Sequence, residues 1–237
     1  MAIYVLADLH LSLGNEDKPM DVFGKNWHNY TERIKENWLK TVKENDLIVL
    51  PGDFCWAMYL EDSVEDFKFI NELPGKKILL KGNHDYWWET LTKMRNFIKD
   101  KEFENIDFLI NNAYEFEDTI IVGTRGWSFE QDEESKRILN REACRLENSI
   151  MYAKEKFGEE KEMICMLHYP PLTKDLVDNK QDSIFTEILM KYNIKKCYYG
   201  HLHAESHKNA IEGIIDGIEY KLISSDYLEF MPYLVKE

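Results

Sequence analysis

Lys77-Ile78-Leu79-Leu80-Lys81-Gly82-Asn83-His84-Asp85 contains the transition on which the fold reading turns. Its first half is a short, unbroken apolar run, the pattern of a β-strand covered on both faces. Its second half is a glycine followed by an amide, an imidazole and a carboxylate, all groups that bind cations or move protons. The same transition recurs on either side of it. Ile3–Ala7 stops at Asp8-Leu9-His10, and Leu47–Leu50 stops at Gly52-Asp53. Downstream, Met163–Leu167 stops at His168-Tyr169-Pro170-Pro171, and Lys196–Tyr199 stops at Gly200-His201-Leu202-His203. Of the 7 histidines in the chain, all but His28 and His207 sit in these clusters.

Further strands are predicted at Phe108–Ile110 and Thr119–Val122. A last pair, Ile211–Ile215 and Glu219–Ser224, is joined by the turn signal Asp216-Gly217. Helices are predicted over about 29–44, 62–72, 88–99, 132–157 and 183–192 from apolar spacings of three and four. The fourth carries Leu139, Ala143, Leu146, Ile150, Ala153 and Phe157 as one stripe, with the acidic run Glu130–Glu134 at its start, where negative charge suits the helix dipole. Strands alternating with helices predict an α/β layered fold, read as a single domain over 1–237.

Composition narrows the function. The chain has 237 residues, 44% apolar, with 44 acidic against 30 basic residues and a formal net charge of −14. A surface of that sign does not track the phosphates of long nucleic acid, so a small substrate is expected at a locally positive site. The cysteines Cys55, Cys144, Cys165 and Cys197 form no Cys-x-x-Cys pair and read as thiols of a reducing compartment. The N-terminal apolar run is too short for a secretory signal, and no stretch has the length of a membrane span. A cytoplasmic location and no membrane partner are expected; oligomeric state is left open.

The clusters have a chemical reading of their own. Residues two apart in an extended segment point the same way, so Asp8 and His10, or His201 and His203, are expected to share a pocket. Gly52, Gly82 and Gly200 are expected to turn the backbone sharply at the strand ends. Imidazole, carboxylate and amide oxygen without a Cys ligand suit Mn, Fe, Co, Ni or Zn rather than a structural zinc.

The ordered series Asp8-x-His10, Gly52-Asp53, Gly82-Asn83-His84-Asp85, His168 and Gly200-His201-x-His203 resembles the calcineurin-like metallophosphoesterase family, across residues 8 to 203. The resemblance implies a four-layer αββα sandwich with two central mixed β-sheets. It implies two divalent transition-metal ions, manganese among them, with Asp8, His10 and His203 holding one, Asn83, His168 and His201 holding the other, and Asp53 bridging. His84 would stand beside the substrate phosphate as general acid or cationic contact, with Asp85 orienting it or shaping its pKa. The implied reaction is hydrolysis of a phosphomonoester or phosphodiester by a two-metal-activated hydroxide. The alternatives are a nucleotide pyrophosphatase of the same fold and a catalytically silent metal-binding scaffold. The substrate is expected to be a small phosphorylated molecule, with nucleotides in range.

The residues that would select it are weaker signals. Arg125, in Gly123-Thr124-Arg125-Gly126-Trp127, is either a phosphate clamp or the partner of a nearby acid. Trp87 and Tyr169, like Trp88 and Trp56, wall a pocket or pack in the core. The segment from Lys18 to Trp27 is expected to form a loop over the first ligands.

Overall fold

Every apolar run that precedes a polar cluster is a strand in the computed structural model, which describes residues 1–14 and 20–237. The chain forms two units, Met1–Phe108 with Ile223–Glu237, and Leu109–Leu222.

The first unit holds β1 (Ile3–Val5), β2 (Leu47–Pro51), β3 (Lys76–Leu80), β4 (Ile106–Leu109) and, from the far end of the chain, β11 (Tyr233–Lys236). Their order is β11-β1-β2-β3-β4. β1, β2 and β3 pair in parallel and β11 runs antiparallel to β1, so the sheet is mixed. Helices α1 (Tyr30–Thr41), α2 (Val64–Asn71) and α3 (Leu91–Asp100) cover it. Ile34 and Trp38 of α1, Phe67 and Ile70 of α2, and Met94 and Ile98 of α3 join Ile48, Leu50, Leu79 and Phe108 of the strands in one core. The spacing of four between Ile34 and Trp38, and between Met94 and Ile98, keeps one stripe of each helix against the sheet. α3 starts later than predicted because Thr90 caps it, its side chain accepting from the backbone N–H of Lys93.

The second unit holds β5 (Tyr114–Phe116), β6 (Thr119–Thr124), β7 (Glu162–Leu167), β8 (Lys196–Tyr199), β9 (Gly213–Ile215) and β10 (Ile218–Leu222), in the order β5-β6-β7-β8-β10-β9. β6, β7, β8 and β10 are parallel, and the two edges are antiparallel hairpin partners. Asp216 and Gly217 take φ of 50° and 79°, the left-handed pair that a tight two-residue hairpin needs.

The 25-residue helix α4 (Glu133–Phe157) packs on β6 through buried Ala143, Leu146, Ile150 and Ala153. Its polar face is also anchored. The Ser149 hydroxyl accepts from the Gly123 N–H and donates to the Asn112 carbonyl, and Glu142 accepts from the Thr124 hydroxyl at 2.7 Å. Asp132 caps α4 by accepting from the Ser135 N–H. α5 (Lys174–Asp178) and α6 (Ile184–Lys191) complete the unit. Both sheets are thus mixed and carry helices, an α/β fold. Strands β5 and β11 and helix α5 were not predicted, since 3 to 5 residues are too few for a period to show. Among the described residues no helix is long and apolar enough to cross a membrane.

Candidate metal centre

In the first unit, three loops that leave β1, β2 and β3 run side by side. Asp8 N–H donates to the Gly52 carbonyl, His10 N–H to Asp53 and Leu11 N–H to Phe54, while Trp56 N–H returns to Leu11. The loop after β3 joins through the backbone N–H of His84, which donates to Asp53 Oδ1 at 2.8 Å. The strands therefore set the spacing of the ligands, and loop hydrogen bonds set their direction.

The expected extended geometry at Asp8-x-His10 is not what forms. Asp8, His10 and Asp53 have φ of 60°, 46° and 52°, and in the second unit His201 has φ of 72°. Four predicted ligands thus occupy the left-handed region, where a side chain is strained by about 1 kcal/mol or more. His203 keeps an extended backbone, at φ −125° and ψ 155°. Side chains are gathered by backbone kinks rather than by strand alternation. The glycines also divide their tasks. Gly52 turns with φ of 93°. Gly82 is required for proximity, because a Cβ there would run into the backbone nitrogen and carboxylate of Asp53.

Asp8, His10 and Asp53 are almost fully buried. One ligand atom of Asp8 lies within 4.8 Å of one of His10 and of one of Asp53. His10 Nε2 is 3.7 Å from Asp53 Oδ2. Two carboxylates crowded out of water in this way repel each other unless a cation stands between them. The donor set, hard oxygens with imidazole and no thiolate, fits a divalent metal. Asn83 and His84 are half-buried on the β3 loop.

Asp85 is wholly buried, and its carboxylate accepts from the backbone N–H groups of Gly82 (2.7 Å), Asp53 (2.9 Å), Phe54 (2.9 Å) and Cys55 (3.4 Å) and from the Trp87 indole (3.0 Å). It fastens the loop after β3 to the loop after β2, a task its sequence position beside His84 did not suggest.

Aromatic rings set the histidines. Trp56 stacks on His10 at 5.1 Å and lies 4.6 Å from His84, and Trp27 meets His10 edge-on at 5.7 Å. The Trp56 indole donates to Met20 Sδ. From the predicted covering segment, Trp27 meets His10 and Met20 meets Trp56, on two short 3-10 turns (Met20–Phe23 and Lys25–Trp27). Lys18 and Pro19, where that segment was expected to begin, fall outside the described residues. Tyr86, 53% exposed and 6.1 Å from His84, is an accessible ring that sequence reasoning missed.

Trp87 must be corrected. It is 1% exposed, packed against Phe54, Phe67 and Trp88, with its N–H on Asp85. It is core, because the hydrophobic ring has no open face to offer a ligand.

In the second unit, the ends of β6, β7 and β8 are stitched in the same manner. The Arg125 carbonyl accepts from the N–H of both His168 (3.1 Å) and Tyr169 (2.9 Å), and Gly200 N–H donates to His168. His168 is buried, with its ring 5.1 Å from that of His201. Tyr169 lies against His201 at 4.1 Å, which makes it a wall of the imidazole pair. The backbone N–H of His203 donates to Ser206 Oγ. Arg125 Nη2 reaches buried Glu142 at 3.4 Å, and desolvation by burial is the main influence lowering its pKa. An acid is thus its neighbour, at a long contact through one of its nitrogens.

Residues 1–205 match the sequence profile of the calcineurin-like phosphoesterases. No curated protein is recognisably similar in sequence. Among solved structures, a Thermus thermophilus protein superposes with a TM-score of 0.61 at 13% identity, covering 99% of this chain and 97% of that one. A phosphopantetheinyl hydrolase from Mycobacterium tuberculosis gives 0.56 at 12% identity, covering 99% and 95%. A protein of unknown function from Aquifex aeolicus gives 0.52 at 20% identity, covering 98% and 95%. With the profile spanning most of its length and the fold shared with these structures, the chain belongs to the calcineurin-like phosphoesterase family.

Proposed function

We propose that the chain hydrolyses a phosphoester at a centre of two divalent cations, as one metallophosphoesterase domain acting in the cytoplasm on a small phosphorylated substrate. The observation that carries this reading is the crowding of buried Asp8, His10 and Asp53 on adjacent kinked loops. On the family pattern, Asp8, His10 and His203 hold one cation, Asn83, His168 and His201 the other, and Asp53 both. When bound, such cations supply Lewis acidity and a water of lowered pKa. The chain's own residues do the rest. Asp85 holds the Asp53 loop in place. His84 donates a proton to the leaving oxygen or a cationic contact to the phosphate, a role worth about 10²–10⁴-fold in rate. Trp56 fixes the ring planes of His10 and His84.

The test is metal analysis with a screen of phosphate mono-, di- and pyrophosphoesters. Two equivalents of transition metal and hydrolysis of at least one class are expected, both lost in Asp53→Asn. Correctly folded protein that takes up no metal and cleaves nothing would instead be a scaffold. The phosphopantetheinyl hydrolase among the similar structures makes phosphopantetheine esters a first choice for the screen.

A further inference from the structure

We infer that the Arg125–Trp127 loop is a second anion subsite, so that the preferred substrate is a phosphoester carrying another anionic group, a second phosphate or a carboxylate. The inference rests on the proposed hydrolytic function and adds the substrate class to it.

The loop follows β6 directly, and its backbone is tied to the histidine-bearing end of β7, since the Arg125 carbonyl holds the N–H groups of His168 and Tyr169. Gly126, at φ of 72°, lies so close to Tyr169 that a Cβ there would come within 3.3 Å of the Tyr169 Cβ. The Arg125 guanidinium lies 4.5 Å over the Trp127 ring, Trp127 meets Tyr169 at 5.2 Å, and Tyr169 meets His201 at 4.1 Å. Both side chains are thus built into one wall that runs to the predicted ligands His168 and His201.

Two donors in that wall are unused. Arg125 Nε and Trp127 Nε1 are buried and have no hydrogen-bond partner among the described residues. A buried N–H left without an acceptor loses its hydration with nothing in return, so such a pair calls for an acceptor from outside the chain. Charge agrees. Arg125, Arg141 and Arg145 converge on the single carboxylate of Glu142, at 3.4, 3.7 and 2.8 Å. One acid does not neutralise three guanidinium groups, and in a chain of net charge −14 this cationic surplus draws an anion to the end of β6. Glu142 meets Arg125 at Nη2 and leaves Nε without an acceptor. A guanidinium N–H and a neighbouring indole N–H are both donors that an oxyanion, phosphate or carboxylate, accepts from.

The experiment uses matched substrates on the metal-loaded full chain. One pair is fructose 1,6-bisphosphate and fructose 6-phosphate; the other is 3-phosphoglycerate and glycerol 3-phosphate. The readout is the ratio of kcat/KM within each pair, in wild type, Arg125→Ala and Trp127→Phe. The wild type is expected to favour the bis-anionic member of at least one pair, and which pair it is tells phosphate from carboxylate. That ratio should fall about tenfold or more in Arg125→Ala and several-fold in Trp127→Phe, mainly through KM. Trp127→Phe keeps an aromatic ring and deletes the N–H, so it tests the subsite even if Arg125→Ala disturbs the fold around Glu142. Ratios that stay at the wild-type value in Trp127→Phe and in folded Arg125→Ala overturn the subsite, while the turnover itself leaves the hydrolase reading standing. If no substrate turns over, equilibrium binding of the same pairs decides. A preference for the bis-anion that both variants lose upholds the subsite, and equal binding of both members removes it.

Discussion

At the scale of single residues, the centre depends on side chains and glycines that bind nothing themselves. Asp85 gathers N–H donors from two loops in a site closed to water. Asp85→Asn keeps the shape but turns an amide NH₂ toward those donors. It is expected to weaken metal binding about 10–100-fold, the usual consequence of disturbing what orients a ligand, measured by metal titration of refolded protein; unchanged metal affinity would remove Asp85 from its positioning role. Gly82→Ala tests proximity rather than charge, since its methyl would meet Asp53. Loss of bound metal with the fold retained by circular dichroism is expected. Full metal occupancy in this variant would mean that the loops yield more than their hydrogen bonds suggest.

At the scale of elements, α2 is joined to the loop after β1 by a carboxylate held out of water. Asp66 is 1% exposed, accepts from the Leu13 N–H at 2.8 Å, and is pushed up to about 6, mainly by burial. Its folded-state pKa lies above the unfolded value, so the folded chain binds this proton more tightly. Stability from this group is therefore highest below about pH 4, falls between about pH 4 and 6, and stays low above that. A shift of roughly two units corresponds to about 3 kcal/mol as an upper figure. Asp66→Asn keeps the carbonyl for Leu13 and removes the buried charge. It should raise Tm by several degrees at pH 8, at about 2–4 °C per kcal/mol for a chain of this size, and give no gain at pH 4. A lower Tm at pH 8 would show that the carboxylate's contacts outweigh its desolvation.

At the scale of the whole molecule, a cation bound only by the folded chain stabilises it by mass action. Free metal at a hundred times its Kd adds about 2.7 kcal/mol, so chelation is expected to lower Tm by roughly 5–10 °C, with recovery on adding Mn²⁺. Asp53→Asn should show little of that shift in a calorimetric scan. An equal shift in both proteins would place the stabilising ion elsewhere.

The sequence by itself determined the α/β class, the strand ends that carry the candidate ligands and the family, because hydrophobic period and ligand chemistry are local properties readable residue by residue. It also found α4, since a 25-residue amphipathic helix repeats its period many times. Tertiary structure alone decided how the ligands are aimed. Asp8 and His10 meet through left-handed kinks at φ of 60° and 46°, and such conformations depend on hydrogen bonds to distant loops rather than on the residues themselves. It decided as well that Trp87 is core while Trp27 and Trp56 flank His10, and that Asp85 joins two loops. For a tryptophan or an aspartate, burial and partners are set by segments distant in the chain, and no local pattern encodes which of them arrives.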